Sequence, residues 1–319
     1  MILGMRTAWL ILGVTLGLLL VMELTLRGFF GIKDLGSPRP PDPRVLNGIP
    51  NASGWLPQHY RELESLSDRW QPYVYFRQRP FDGQTIHIDE NGLRATWKPP
   101  GLDGEMTKGG TRPVKILMLG GASLWGYGAR DRTFPSLVAQ GLHDRKINAE
   151  ITNLAEIGYV NTQEMIALIR ELQRGDRPDV VLFYDGVNDT TSALLEGQAT
   201  LTTNEVNRRR EFNLLQSPPR LAGALGWKLI EDSASFRLAS SLGRHIGLEP
   251  SRRLGTKSGQ DEVQLARDVV QGYLANLETI RILGTAYGFR PLFVWQPVIF
   301  EKHELVPFEA EEAEKFGWA

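Results

Sequence analysis

The chain contains no cysteine. That absence removes disulfides, thiolate metal ligands and cysteine nucleophiles together, and leaves histidine, serine, aspartate and glutamate to carry any catalysis. Charge of one sign is missing too: 36 Lys and Arg face 37 Asp and Glu, a net charge of -1. No global field recruits nucleic acid or an acidic surface, so no nucleic-acid partner is expected. The specific phosphate signatures are absent as well. There is no Gly-Lys-Ser/Thr for a P-loop, and Gly126-Tyr-Gly128-Ala-Arg-Asp131 lacks the third glycine of the dinucleotide fingerprint. Glu156 is the one residue that favours a nucleotide. The nucleophile elbow Gly-x-Ser-x-Gly is also missing, because Trp125 stands where its second glycine would be.

What is present begins with one long apolar run. Ala8 to Met22 is apolar apart from Thr15, and Leu24 to Leu26 extend it past Glu23 towards the ~20 residues that a bilayer-spanning helix needs. The run is long for a signal-peptide core and no small-x-small cleavage site precedes Arg27, so residues 1–30 read as an uncleaved membrane anchor. Arg6 on one side and Arg27 with Lys33 on the other leave its orientation weakly specified. From Gly36 to Pro57, six prolines preclude a long helix and predict an extended spacer. Tyr73 to Phe76 and Thr85 to Ile88 are short β-prone runs, the second followed by the turn signal Asp89-Glu-Asn-Gly92. Together they predict a small hairpin-like extension, so that residues 31–112 form a stem before the core. Lys98 to Arg112 reads as a loop.

Beyond the stem the pattern alternates. Strand Val114 to Leu119, a helix near Phe134 to Leu142, strand Ala149 to Leu154, a helix near Thr162 to Gln173 and strand Asp179 to Tyr184 make βαβαβ. That order predicts an α/β fold with a parallel sheet and right-handed crossovers. Ser192 to Gln260 interrupt the rhythm and read as a partly helical insertion, about 191–262, that could serve as a lid. Periodicity returns with Ala266, Val270, Tyr273, Leu277, Ile280 and Gly284 on one helical face, and Pro291 to Trp295 give a fourth strand.

Polar turns end these strands: Gly120-Gly121-Ala122-Ser123, then Asn153-Leu-Ala-Glu-Ile-Gly158, then Gly186-Val-Asn188-Asp189. In a parallel sheet they gather at the carboxyl edge, where ligands bind. Taken singly, Gly158 reads as a loop glycine and Asn188-Asp189 as a helix cap. In this order the blocks resemble the SGNH or GDSL hydrolase family over about Val114 to Gln296. The stem is similar to that of membrane-anchored members, with Tyr73 to Arg77 and Asp89 to Arg94. The resemblance implies a three-layer α/β/α, flavodoxin-like domain over residues 113–319, and an esterase that uses no metal or cofactor. It implies that the core lies outside the cytoplasm and acts on acyl or acetyl esters of an envelope glycan or lipid. The Gly158 amide and the Asn188 side chain would be oxyanion donors.

Two departures qualify that expectation. Laid on the family's first block without a gap, Gly120 and Gly126 put Ala122 in the nucleophile's place, with Ser123 one residue late. If the turn opens a helix, that step rotates a side chain by about 100°. Ser123 remains the best nucleophile on offer if the turn is reshaped. The family's base comes from an Asp-x-x-His block, and none of His59, His87, His143, His245 or His303 has an aspartate three residues earlier; Phe300 precedes His303. The expectation is that this block lies beyond Ala319. The alternatives to an esterase are a degenerate scaffold that binds an acylated ligand, and an acyltransferase that excludes water.

Overall fold

The computed structural model describes residues 2–36, 54–99, 112–126, 132–245, 261–298 and 301–315. Most of the expected proline-rich spacer and the loop before Arg112 lie outside these residues. In chain order the elements are α1 (Ile2–Gly36), α2 (Leu56–Ser65), β1 (Asp68–Gln71), β2 (Tyr75–Gln78), β3 (Phe81–Asp82), β4 (His87–Ile88) and β5 (Val114–Gly120). Next come α3 (Ala122–Trp125), α4 (Phe134–Asp144), β6 (Ala149–Asn153), α5 (Asn161–Gln173), β7 (Val180–Asp185) and α6 (Val187–Glu196). The insertion supplies α7 (Glu205–Leu215), α8 (Pro218–Glu231) and α9 (Ala234–His245), followed by α10 (Glu262–Tyr287), β8 (Arg290–Trp295) and α11 (Pro307–Lys315). Contacts divide the chain into two compact units, Met1–Pro41 with Val206–Arg253, and Asp42–Glu205 with Leu254–Ala319.

The first unit is helical. Within α1 the segment Trp9–Ile32 is 24 residues long with a mean hydropathy of 2.1, long and apolar enough to cross a membrane. Its one acid, Glu23, accepts hydrogen bonds from the amides of Ala234 at 2.7 Å and Ser235 at 3.0 Å. A carboxylate here satisfies amides that the first turn of α9 leaves without helical partners.

The second unit is mixed α/β, built on a four-stranded parallel sheet in the order β6-β5-β7-β8. Register pairs Met118 with Asn153, Gly120 with Tyr184 and Asp185 with Trp295. All four carboxyl ends therefore share one edge. Alternate side chains of β5 enter different apolar clusters. Leu117 and Leu119 join Val181, Phe183, Leu168 of α5 and Ile280 of α10, while Met118 joins Leu124, Trp125 and the partly buried Val138 and Leu142 of α4. Each such side chain, fully buried, stabilises the fold by roughly 1.5–3 kcal/mol.

Three expectations change. The runs around Tyr75 and Ile86 do not form one hairpin; β1 pairs antiparallel with β2, and β3 with β4, as two separate ribbons. Tyr73, at φ 71, lies in the turn between β1 and β2. Residues 84–86 are instead held by Glu62 of α2, which accepts from the amides of Gln84, Thr85 and Ile86 at 2.8, 2.9 and 3.0 Å. Second, the buried face of α10 is Leu265, Val269, Tyr273, Leu277, Ile280 and Gly284, so the predicted Ala266 and Val270 are exposed. A run of four-residue steps keeps the face one residue earlier than the mixed steps read from sequence. Third, the helix that the sequence left conditional at the first turn is present as the four-residue α3, opened by Ala122.

The turn at Asp89 forms as expected. The Asp89 side chain accepts from the amides of Asn91 at 2.9 Å and Leu93 at 2.8 Å, and Gly92 adopts φ 82. It delivers Arg94 beneath the sheet edge, where its guanidinium lies 4.2 Å from the Trp125 ring and donates to the Gly126 carbonyl at 2.5 Å.

Candidate active site

The three sequence blocks meet at the carboxyl edge. Gly120 ends β5 against β7, and a Cβ there would come within 2.8 Å of the Tyr184 carbonyl oxygen. At Gly121 a Cβ would overlap the side-chain amide nitrogen of Asn188. That same Nδ2 donates to the Tyr159 carbonyl at 2.7 Å. Asn188 thus bridges the turn after β5 to the loop after β6, next to Gly158. Gly158 sits at φ 84, a left-handed conformation that glycine adopts without strain, and its N–H has no hydrogen-bond acceptor among the described residues. Asn153, buried, ties the loop to α3 by accepting from Ala155 N at 3.1 Å and donating to the Trp125 carbonyl at 3.3 Å.

Ser123 has a partner of its own. It lies on the exposed side of α3, and its Oγ accepts from Gln296 Nε2 at 2.8 Å. Gln296 follows β8 and is held there by its own amide, which donates to the Asp185 carbonyl at 2.7 Å. Gly158 lies in the loop after β6, the edge strand farthest from β8. The residue that opens α3 is the half-buried Ala122.

Behind Asn188 lies a group of buried acids. Asp185 accepts from Asn161 Nδ2 at 2.9 Å and Tyr273 OH at 3.3 Å, and Asp189 accepts from the Asn161 amide at 3.1 Å. Burial, together with the Asp185 charge, pushes the Asp189 carboxyl up to about 6. Glu164 projects from α5 into the same group, fully enclosed; burial first, then Asp185 and Asp189, push its carboxyl well above the usual range. These acids fix α5, β7 and α10 around the third turn.

Glu156 is not available to a nucleotide. It is fully buried, and its carboxylate accepts from the amides of Gln78 at 3.1 Å and Ile157 at 3.0 Å. The histidines are dispersed. His59 is buried with Nδ1 at 2.9 Å from Thr85 Oγ1, His87 pairs with Asp82 at 2.5 Å, and His143 packs edge-on against Trp97. His245 closes α9 and His303 is exposed beyond β8. Among the described residues no histidine hydrogen-bonds Ser123.

Sequence reasoning missed Gln296, Glu164, Asp185 and Tyr273. A polar residue just past the apolar run of β8 was the available signal for Gln296, and an acid on the apolar face of α5 was the signal for Glu164. No protein-family model matches this chain, and no curated protein matches it.

Proposed function

We propose that this chain is a membrane-tethered SGNH-type scaffold, three-layered around the parallel sheet, whose carboxyl edge receives the carbonyl of an acyl or acetyl ester on an envelope glycan or lipid. The observation that carries this reading is the Asn188 amide lying against Gly121 while donating to Tyr159. One of its two amide hydrogens remains for a ligand oxygen, beside the unpaired N–H of Gly158. The core stands outside the cytoplasm, tethered by the apolar helix.

Recognition of the ester is favoured over its cleavage by this chain's own serine, because Ser123 is engaged by Gln296 and Ala122 opens α3. The test is binding of an O-acetylated monosaccharide to the full chain in detergent, read by saturation-transfer NMR. Saturable binding lost in Asn188→Ala is expected; binding that survives that substitution unchanged would remove the reading. Hydrolysis through Ser123 is the second reading, favoured by an exposed hydroxyl at the mouth of the site. It requires Gln296 to release Ser123 and a base to take its proton.

A further inference from the structure

A second cavity lies on the flank of the sheet, between the β1–β2 ribbon, the edge strand β6 and the helix α5. Its volume is about 500 Å³, and four arginines line it: Arg69 from β1, Arg77 from β2, and Arg170 and Arg174 from α5 and its end. Two acids share the wall, Glu171 and Asp176. Glu171 is engaged by Arg174 at 2.5 Å, and burial pushes its carboxyl up.

The remaining guanidinium groups are incompletely used. Arg77 is 6% exposed, donates one Nη2 bond to the Leu154 carbonyl at 3.3 Å, and leaves Nη1 buried without an acceptor. Arg69 Nη2 donates to the Glu90 carbonyl at 2.8 Å, and its Nε is buried without an acceptor. Arg170 lies 5.0 Å from the Tyr73 ring, which fixes its plane, and its Nε is likewise unpaired. Leaving a buried charged donor unpaired costs more than leaving a neutral one, and three arginines with such a donor in the wall of one cavity point to a shared acceptor. Planar guanidinium forks match the oxygens of carboxylate and phosphate.

The geometry points to an oxyanion-binding cavity: Arg69, Arg77 and Arg170 together hold the phosphate or carboxylate group of a sugar-sized ligand. The cavity has room for more than a bare ion, and Thr152 and Asn91 in its wall supply neutral polar contacts for a hydroxylated body. This inference does not rest on the ester reading, since the cavity is built from residues that take no part in the Gly121–Asn188 bridge.

Isothermal titration of the full chain in detergent, with inorganic phosphate and separately with glucuronate up to about 10 mM, tests it. Saturable binding of at least one probe is expected, weakened roughly tenfold or more by Arg170→Gln and by Arg69→Gln. Tighter phosphate identifies a phosphoryl group as the natural ligand; tighter glucuronate identifies a uronate. Arg79→Gln, an exposed arginine bonded to the Asp68 carbonyl, should bind like the parent chain. If a buried-arginine variant fails to fold, Arg174→Gln decides, because it releases Glu171 to compete with the ligand. Failure of both probes to saturate, or full affinity in the folded arginine variants, would overturn the proposal. Asn188→Ala should bind the anions normally, which separates this outcome from failure of the ester site.

Discussion

Gln296 donates to Ser123 across 173 residues of sequence, at 2.8 Å, and this contact holds the only serine of the first turn on the β8 side. A hydroxyl that accepts from an amide keeps its own proton, and among the described residues no histidine hydrogen-bonds it. The chain should therefore turn over a short acyl ester negligibly, and Ser123→Ala should change nothing. Ala122→Ser should give no activity either, because the sequence holds no Asp-x-x-His block to supply the family's base. Robust turnover abolished by Ser123→Ala, a loss of several orders of magnitude, would show that Gln296 releases the serine and that a base reaches it.

The buried acids set a direction for stability against pH. Burial first raises Glu156 from 4.5 to about 7 and Asp189 from 3.8 to about 6. Both bind their proton more tightly folded than unfolded, so their contribution to stability is present below about pH 4 and is lost as pH rises to about 7, and Glu164, raised in the same direction, adds to the fall. Glu156 alone accounts for about 3 kcal/mol of that fall, its shift converted at 1.36 kcal/mol per unit. Thermal unfolding at pH 5 and pH 8 should give the higher midpoint at pH 5, with a smaller difference in Glu156→Gln. A midpoint that rises with pH would contradict the assignment.

The three strands of the βαβαβ run were legible because strands covered on both faces are continuous apolar runs, and Val114 to Leu119 and Val180 to Tyr184 read that way directly. The turns were legible because Gly121, Gly158 and Asn188 are residue types with a restricted set of uses there. What escaped was long-range pairing of polar groups. Nothing local distinguishes Gln296 as a partner of Ser123, or Glu62 as the acceptor for three amides of a distant ribbon. The arginines of the flank cavity come from separate segments, and only the fold brings them together. Ala122 was legible as a departure, and its meaning became physical once α3 was seen to begin there.

Glu62 joins α2 to residues 84–86, and its removal should loosen the extension before the sheet. Burial would raise its carboxyl, yet hydrogen bonds from Gln58, Thr85 and Gln84 outweigh this and hold it down to about 2. This contribution is present above pH 4.5 and lost as pH falls towards 2. Glu62→Ala leaves the amides of Gln84, Thr85 and Ile86 and the Thr85 hydroxyl without their acceptor, at a cost of about 3 kcal/mol or more. Glu62→Gln keeps one oxygen and should lose less. Denaturant unfolding of both variants measures the order, and equal losses would mean that the carboxylate's charge, not its acceptor geometry, holds the ribbon.

The tightest steric relationship in the candidate site provides a direct test of the ester reading. Gly121 has φ -85, so alanine is compatible with its backbone, and the whole effect of Gly121→Ala falls on the Asn188 amide that its methyl would overlap. Overpacking of this kind costs about 1–3 kcal/mol, small enough for the fold to persist. The displaced amide must leave the Tyr159 carbonyl, and with it the position from which a ligand oxygen would be met. Gly121→Ala and Asn188→Ala should each weaken binding of an O-acetylated sugar by tenfold or more, and the double variant should be no weaker than Asn188→Ala alone. In Asn188→Ala the new methyl at 121 has room, so the stability cost of Gly121→Ala should also shrink in that background. A double-mutant cycle on binding and on unfolding reads both couplings. Additive losses in both would mean that Gly121 and Asn188 act independently, and that the bridge between the first and third turns has no part in recognition.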